Sequence, residues 1–391
     1  MTLLRQIGVA RAPLVGFSAM GLLWGSYAAL IPDIKAVLGV SDAHFGSLLL
    51  ATPIAAVTTM LVAPKLAPQF GRNVLPMSVL ALGLAFALPG WMAMPLMFAL
   101  SMVVVGMTNG FLDVTMNARV SALEVDEGLH LMNLNHAAYS FAYAGAAVAT
   151  GLARGQGFGP GPILTAVALT IVLLAVLATE RGAGINGFAR TVGFGGRLGM
   201  IPLWGGIIVL IAFMSENAAE NWSALHIERT LGAAKGAGSF GPAVLALTMG
   251  VGRMLGQIVV ARLDEGRLMR WGALIGAGGM VLVGLAPTPL VAYGGLVIAG
   301  LGGSVIAPTA FAVIGRLSDP NRRALMIARA TALGYMGYFF GPPVLGFVSE
   351  ALGLRAALVA MAGMILLVLW LFPKLLAAGA EVDRTRSASR F

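Results

Sequence analysis

The chain has 391 residues, of which 58% are hydrophobic and 10% charged, with a formal charge of +9. Soluble domains carry about 25% charged residues, so this balance places the protein in a lipid bilayer. It contains no cysteine, which removes disulfide and thiolate chemistry, and its Lys and Arg are scattered singly, which argues against a nucleic-acid partner.

A spanning helix needs roughly 20 predominantly apolar residues. Breaking the chain at Pro, Gly and charge clusters predicts twelve spans, over residues 11–32, 44–64, 74–92, 95–121, 130–153, 162–179, 201–228, 237–260, 271–288, 290–316, 323–350 and 354–376. The N-terminus reads as the first span rather than a removed signal peptide. The 53 glycines lie within these apolar segments, where small residues let backbones approach closely.

Span one holds Trp24 and Tyr27, aromatic residues suited to a cavity wall, and ends at Pro32 with Asp33 on the outer side. Span four carries GFLDVTMNARV at residues 110–120. Asn109, Asp113 and Asn117 are spaced i, i+4, i+8 and share one helical face, which lipid cannot satisfy. Such a stripe faces the bundle interior or a water-filled cavity. One reading is a structural network between helices. The other makes Asp113 a proton carrier and the asparagines solute ligands, since a carboxylate that water reaches in part suits a site loaded and emptied near neutral pH. In span five, Asn133, His136, Ser140 and Tyr143 recur near one face, and His136 is a structural hydrogen bonder or a proton relay.

Span seven reads SENAAENWSALHIER. Glu216 and Glu220 share a face; Glu216 lies about 22 Å along the helix at 1.5 Å per residue, too deep for a solvated end, whereas Glu220 is near the outer rim. Asn221 lies on the adjacent row. Trp222 is an interfacial-belt residue or a stacking surface for solute. Arg253 in span eight needs an anion, and Glu216 in the preceding span is the expected partner. In span eleven, Tyr335 is the expected cavity residue among Tyr335, Tyr338, Phe339 and Phe340, and GPPVLG is expected to kink the helix.

Lys and Arg accumulate in cytoplasmic loops. With the N-terminus inside, 18 of the 25 fall on the cytoplasmic side and 5 outside, which predicts both termini in the cytoplasm. The polar stretch 180–199 divides the chain into residues 1–180, a cytoplasmic loop at 181–199, and residues 200–391. QFGRN after span two and DEGRL after span eight echo each other weakly. Twelve helices in two pseudo-symmetric six-helix bundles, an all-α integral membrane protein, is the expected architecture.

These features resemble the major facilitator superfamily over nearly the whole chain. Its loop motif of Gly, Asp and Gly-Arg-Lys/Arg is matched in part by PKLAPQFGRN, with Gly71 and Arg72 present and Pro68 where the Asp belongs. GFLDVTMNA, ENAAENWSAL, GLGGSVIAP and GYMGYFFGPPVLG are similar to the fucose permease group and its bacterial relatives. There the span-four acid and Asn of an E-T-A-x-N pattern take part in proton coupling, and they match Asp113 and Asn117. A coupling acid in mid span one is not reproduced.

The resemblance implies a secondary transporter of a small polar organic solute, sugar-like or an organic acid or amine, most simply a proton symporter in the bacterial inner membrane. It implies a proton-coupling role for Asp113; Glu216 and His136, from their places in spans seven and five, are expected to share it, with Glu220 and Asn221 among the expected solute ligands. Its expected partners are solute, protons and lipid, with the chain monomeric. A proton-coupled exporter of drugs or metabolites is the alternative, although span five, AYAGAAVATG, lacks the GPxxGG-type signature of antiporters. No GxxxxGK[ST] segment or metal-ligand spacing occurs, so neither a nucleotide, a metal nor an enzymatic reaction is expected.

Overall fold

The computed structural model describes residues 3–129, 131–180, 199–260, 264–318 and 323–388, and among them there is no strand. The expected loop 181–199 lies outside these residues except for Gly199. A short helix, Leu3–Val9, precedes twelve helical segments. Span one is Arg11–Leu38. Span two is Asp42–Leu48 followed by Ala51–Leu66, span three Val74–Phe86, span four Pro95–Glu127, span five Met132–Gly155 and span six Pro160–Ala175. Span seven is Met200–Leu225 and continues into a π-helical turn, His226–Thr230. Spans eight and nine are Phe240–Val260 and Glu265–Leu285. Span ten is Pro289–Gly303 with Ile306–Leu317, span eleven Arg323–Leu352, and span twelve Leu354–Leu366 with Val368–Ala388.

Among the described residues eight stretches are long and apolar enough to cross a membrane, one of them, residues 42–91, holding both span two and span three. Spans five, eight and eleven fall outside that group; they carry much of the polar and glycine content discussed below.

Several helices outrun their apolar stretches. Span one continues through Pro32 to Leu38, and Asp33 and Lys35 extend it as a helix rather than opening a loop. Span four runs on through Glu124 and Glu127, and span nine starts at Glu265, six residues before the expected 271. A backbone helix need not end where the apolar side chains do, so hydropathy marks the membrane core and not the helix. The ends are set by local chemistry. Ser41 accepts from the His44 amide at 3.2 Å and opens span two, and Asp264 accepts from the Arg267 amide at 2.9 Å and opens span nine. Span four stops at Gly128, whose φ of 63° is left-handed. Glu124 then accepts the Leu131 and Met132 amides at 2.6 and 2.8 Å and starts span five. Arg355 donates to the Ala286 carbonyl at 2.8 Å, just past the end of span nine.

The helices form two compact units. One comprises Met1–Thr191 with Glu220–Gly250; the other comprises Val192–Ala219 with Val251–Phe391. In the first, spans one and five touch at backbone level. A methyl on Gly25 would lie 2.1 Å from the Tyr143 carbonyl oxygen, so only glycine permits that approach. Spans two and four repeat the device, where a methyl on Gly110 would lie 2.3 Å from the Ala56 carbonyl oxygen. In the second unit spans seven and eleven meet along Gly334, Gly337 and Gly341, so the GPPVLG segment belongs to a helix that remains continuous through Pro342 and Pro343.

Candidate functional site

In the first unit the polar stripe of span four is internally bonded. The Asn117 amide donates to the Asp113 carbonyl at 2.8 Å and to the Asp113 carboxylate at 3.1 Å. Among the described residues no Lys, Arg or His forms an ion pair with Asp113. One turn away, Asn109 accepts the Trp24 indole N–H at 3.0 Å. An indole can only donate, so the Asn109 amide oxygen is the atom turned toward span one. Asn109, Asp113, Asn117 and Trp24 are half-buried, as a wetted stripe requires. Trp24 also meets Tyr27 edge-on at 5.7 Å. Tyr27 itself is 1% exposed, so it packs beneath this surface rather than lining it.

His136 is exposed and meets Phe17 edge-on at 4.9 Å, which places it on span one as well as span five. Of its expected face-mates, Asn133 is exposed while Ser140 and Tyr143 are buried. Glu220 and Asn221 are half-buried, at the start of the segment that belongs to the first unit. Trp222 is 0% exposed and packs edge-on against Phe45 at 6.2 Å. A fully covered indole can neither sit in an interfacial belt nor stack on solute in this conformation, and the structure corrects both expectations for it.

In the second unit Arg253 donates to Glu216 at 2.9 Å, the pairing expected from their places in adjacent spans. One turn before Glu216, Phe213 meets Tyr335 at 6.0 Å and Tyr338 at 5.1 Å, and the two tyrosines lie 5.8 Å apart. All three rings are half-buried. Tyr338 and Phe213 thus join Tyr335, the residue expected from sequence.

At the loop between spans two and three, Gly71 has φ 52° and ψ −132°, which explains a glycine there. Arg72 is exposed and makes no ion pair among the described residues. That fits the replacement of the motif Asp by Pro68. Elsewhere Arg119 of span four pairs with Glu180 at 2.9 Å, and Glu265 pairs with Arg316.

The densest polar cluster was not singled out by sequence reasoning. Arg154, at the end of span five, has a side chain that is 0% exposed. Its Nε and Nη2 donate to the two oxygens of Asp33, each at 2.9 Å. Its Nη1 and Nη2 donate to the two oxygens of Glu228 at 2.7 and 2.8 Å, and Nη1 also reaches the Ala29 carbonyl at 2.8 Å and Ser239 Oγ at 3.1 Å. Glu228 further accepts the amides of Gly236 and Gly238 at 3.0 and 3.1 Å, and Lys235 stands 3.7 Å from Asp33. Two carboxylates against one guanidinium and one ammonium make the group neutral. Beside it, Asp42 pairs with Lys35 at 3.0 Å and with Arg229 at 2.6 Å.

Residues 205–389 match the family model of the Major Facilitator Superfamily. An uncharacterized MFS-type transporter of Yersinia pestis is 28% identical over 361 residues, spanning 90% of this chain and 92% of that protein. Membrane protein MosC of Rhizobium meliloti is 26% identical over 350 residues, 88% of this chain and 84% of that one. Among solved structures, a bacterial homolog of the human lysosomal transporter Spinster, inward-facing and unoccupied, superposes with a TM-score of 0.77 at 15% identity, covering 97% and 98% of the two chains. A D-xylose-proton symporter superposes with a TM-score of 0.67 at 15% identity, covering 95% and 97%. The likeness to the Major Facilitator Superfamily is carried by residues 205–389, and the chain as a whole has the all-α fold of these solved transporters.

Proposed function

We propose that this protein is a transporter of the major facilitator superfamily that moves a small polar organic solute by alternating access, coupled to protons in symport, with Asp113 as the proton carrier. The observation that carries the reading is the company of Asp113. Its carboxylate lies within a membrane-spanning helix with the Asn117 amide as its partner and no paired cation among the described residues. A lone charge held in that setting is costly, and a proton is the simplest means of removing it. Glu216 differs, because Arg253 already balances it; we assign this pair to the solute-responsive side of the coupling.

Asn109, Asn117, Trp24 and the Phe213–Tyr335–Tyr338 rings supply hydrogen-bonding and stacking surface for a solute with both polar and flat faces. Two things support the proton-symport choice over export: the likeness of GFLDVTMNA to fucose permeases, and the shared fold of a D-xylose-proton symporter. The charge asymmetry supports an inner-membrane location with both termini cytoplasmic, and the echo of QFGRN in DEGRL supports two six-helix repeats as the moving halves.

The test begins with a thermal-shift screen of the purified protein against a solute library at two pH values. With a solute in hand, Asp113→Asn is reconstituted in liposomes. A symporter must release its proton inside before the empty protein returns, and a permanently neutral side chain cannot do so. The variant is therefore expected to lose uptake driven by a pH gradient yet keep solute-for-solute exchange, with a melting temperature near that of the parent. Intact gradient-driven uptake would overturn the assignment. Parallel loss of stability and of both transport modes would make Asp113 structural instead.

A further inference from the structure

Span seven is one helix, yet its residues 200–219 count with one unit and its end, through residue 250, with the other. If spans seven to twelve move together, the contacts that tie residues 220–250 to spans one, two and five have to be made and broken in each cycle. We propose that residues 226–239 are an outer latch whose post is Arg154, shared between a resident carboxylate, Asp33, and a visiting one, Glu228. This deepens the alternating-access reading and rests on it.

Four features carry the assignment. First, the π-helical turn His226–Thr230 sends consecutive side chains to two different elements, Glu228 to Arg154 at the end of span five and Arg229 to Asp42 at the start of span two. A π turn inside a helix commonly marks a functional position. Second, Glu228 is bonded at the same time to its own loop through the amides of Gly236 and Gly238, so it leaves with that loop as one body. Asp33, by contrast, lies in span one, which is joined to Arg154's span five by the backbone-level contact at Gly25.

Third, the loop seats on span five without side chains between. A methyl on Gly236 would lie 2.3 Å from the Gly151 carbonyl oxygen, and Gly236 has φ 90°. Fourth, alanines meet across much of the surface beneath, with Tyr143, Trp24 and Tyr139 packed beside them. Ala243 of span eight packs with Ala29 and Ala147, and Ala246 with Ala28 and Tyr143. Such alanine contacts can part without unthreading long side chains, whereas the bonds of Arg154 are directional and strong when made. A neutral cluster with every guanidinium nitrogen engaged holds firmly, and losing Glu228 leaves Arg154 still balanced by Asp33.

The absence of native cysteine makes a direct test possible with no solute or proton gradient, so its result is independent of the substrate and coupling assignments. Ala243→Cys places one thiol under the latch, and Ser78→Cys places one in the buried interior of span three as a control for general loosening. The rate of modification by a maleimide is measured in purified protein. Adding Glu228→Gln is expected to raise labelling at position 243 by about tenfold, as charge-assisted bonds are lost, and to leave position 78 unchanged. No rise at position 243, or an equal rise at both positions, overturns the latch. Adding Asp33→Asn is expected to raise both positions together, because it strips Arg154 of its resident partner. A rise confined to position 243 with Asp33→Asn and absent with Glu228→Gln would overturn the assignment of resident and visitor.

Discussion

Asp113 and Glu216 are both carboxylates within spanning helices, and they differ in what balances them. The amide beside Asp113 supplies hydrogen bonds and no charge, while the guanidinium of Arg253 supplies both. Removing one partner of this partly covered pair leaves the other uncompensated within a spanning helix, which costs more than removing both. Glu216→Gln and Arg253→Met are therefore expected each to lower the melting temperature of the detergent-solubilised protein, and the double variant to lose less than the sum, by about 0.5–3 kcal/mol of coupling. Additive losses would show that the pair contributes nothing as a pair. Glu216→Gln should also weaken solute binding more than Glu220→Gln, read by the same thermal-shift assay; the reverse order would reject the depth assigned to Glu216. This pairing was legible in the sequence because the two charges fall in consecutive spans and neither can face lipid. The Arg154 cluster was not. Its partners lie 121 and 74 residues away, and each of the three charges alone resembles an ordinary loop residue.

At the level of the helix, glycine fixes which elements travel together. The Gly21 and Gly25 pair of span one rests on the backbone of span five, and Gly106 and Gly110 of span four rest on span two. Gly25→Ala is expected to destabilise the protein by about 1–3 kcal/mol, because the added methyl meets backbone that cannot rotate away. Gly145→Ala, with nothing within 4 Å of the new methyl, should be close to neutral or mildly stabilising. Melting curves of the two compared side by side check this, and equal effects would refute a backbone-level contact at Gly25. Apolar length, the signal that lipid imposes, marked most of the helical segments, while spans five, eight and eleven were placed by the Pro, Gly and charge breaks that flank them. Sequence patterning did not reveal that charged ends such as Asp33 to Leu38 continue the helix, or that span seven closes in a π turn. Those depend on hydrogen bonding at the ends, and for Asp33 on a partner in another helix. For Trp222, composition pointed to a membrane surface, and packing against Phe45 decided otherwise.

Across the whole molecule, the charge asymmetry makes a topological prediction. Reporter fusions after Arg72, Arg190 and Arg390 should all read cytoplasm, and one near Asp33 should read the opposite side. A cytoplasmic reading near Asp33 would invert the first six helices and move the proposed latch to the inner face. The proposed two-repeat organisation rests on the spacing of spans and the echo between QFGRN and DEGRL. The attachment of residues 220–250 to the first unit was not legible in the sequence, because chain order alone assigns them to the second proposed repeat.

The unpaired state of Asp113 also bears on electricity. Glu216 and Arg253 cancel each other, so carrying them through the membrane moves little net charge. A deprotonated Asp113 has no such partner among the described residues, and shifting one elementary charge across 100 mV is worth about 2.3 kcal/mol. On the proposed cycle the loaded, protonated form of this site is blind to membrane voltage, while the empty form carries the charge that voltage can drive or hold back. The resting potential of the cell would then act on the return stroke and hardly at all on delivery.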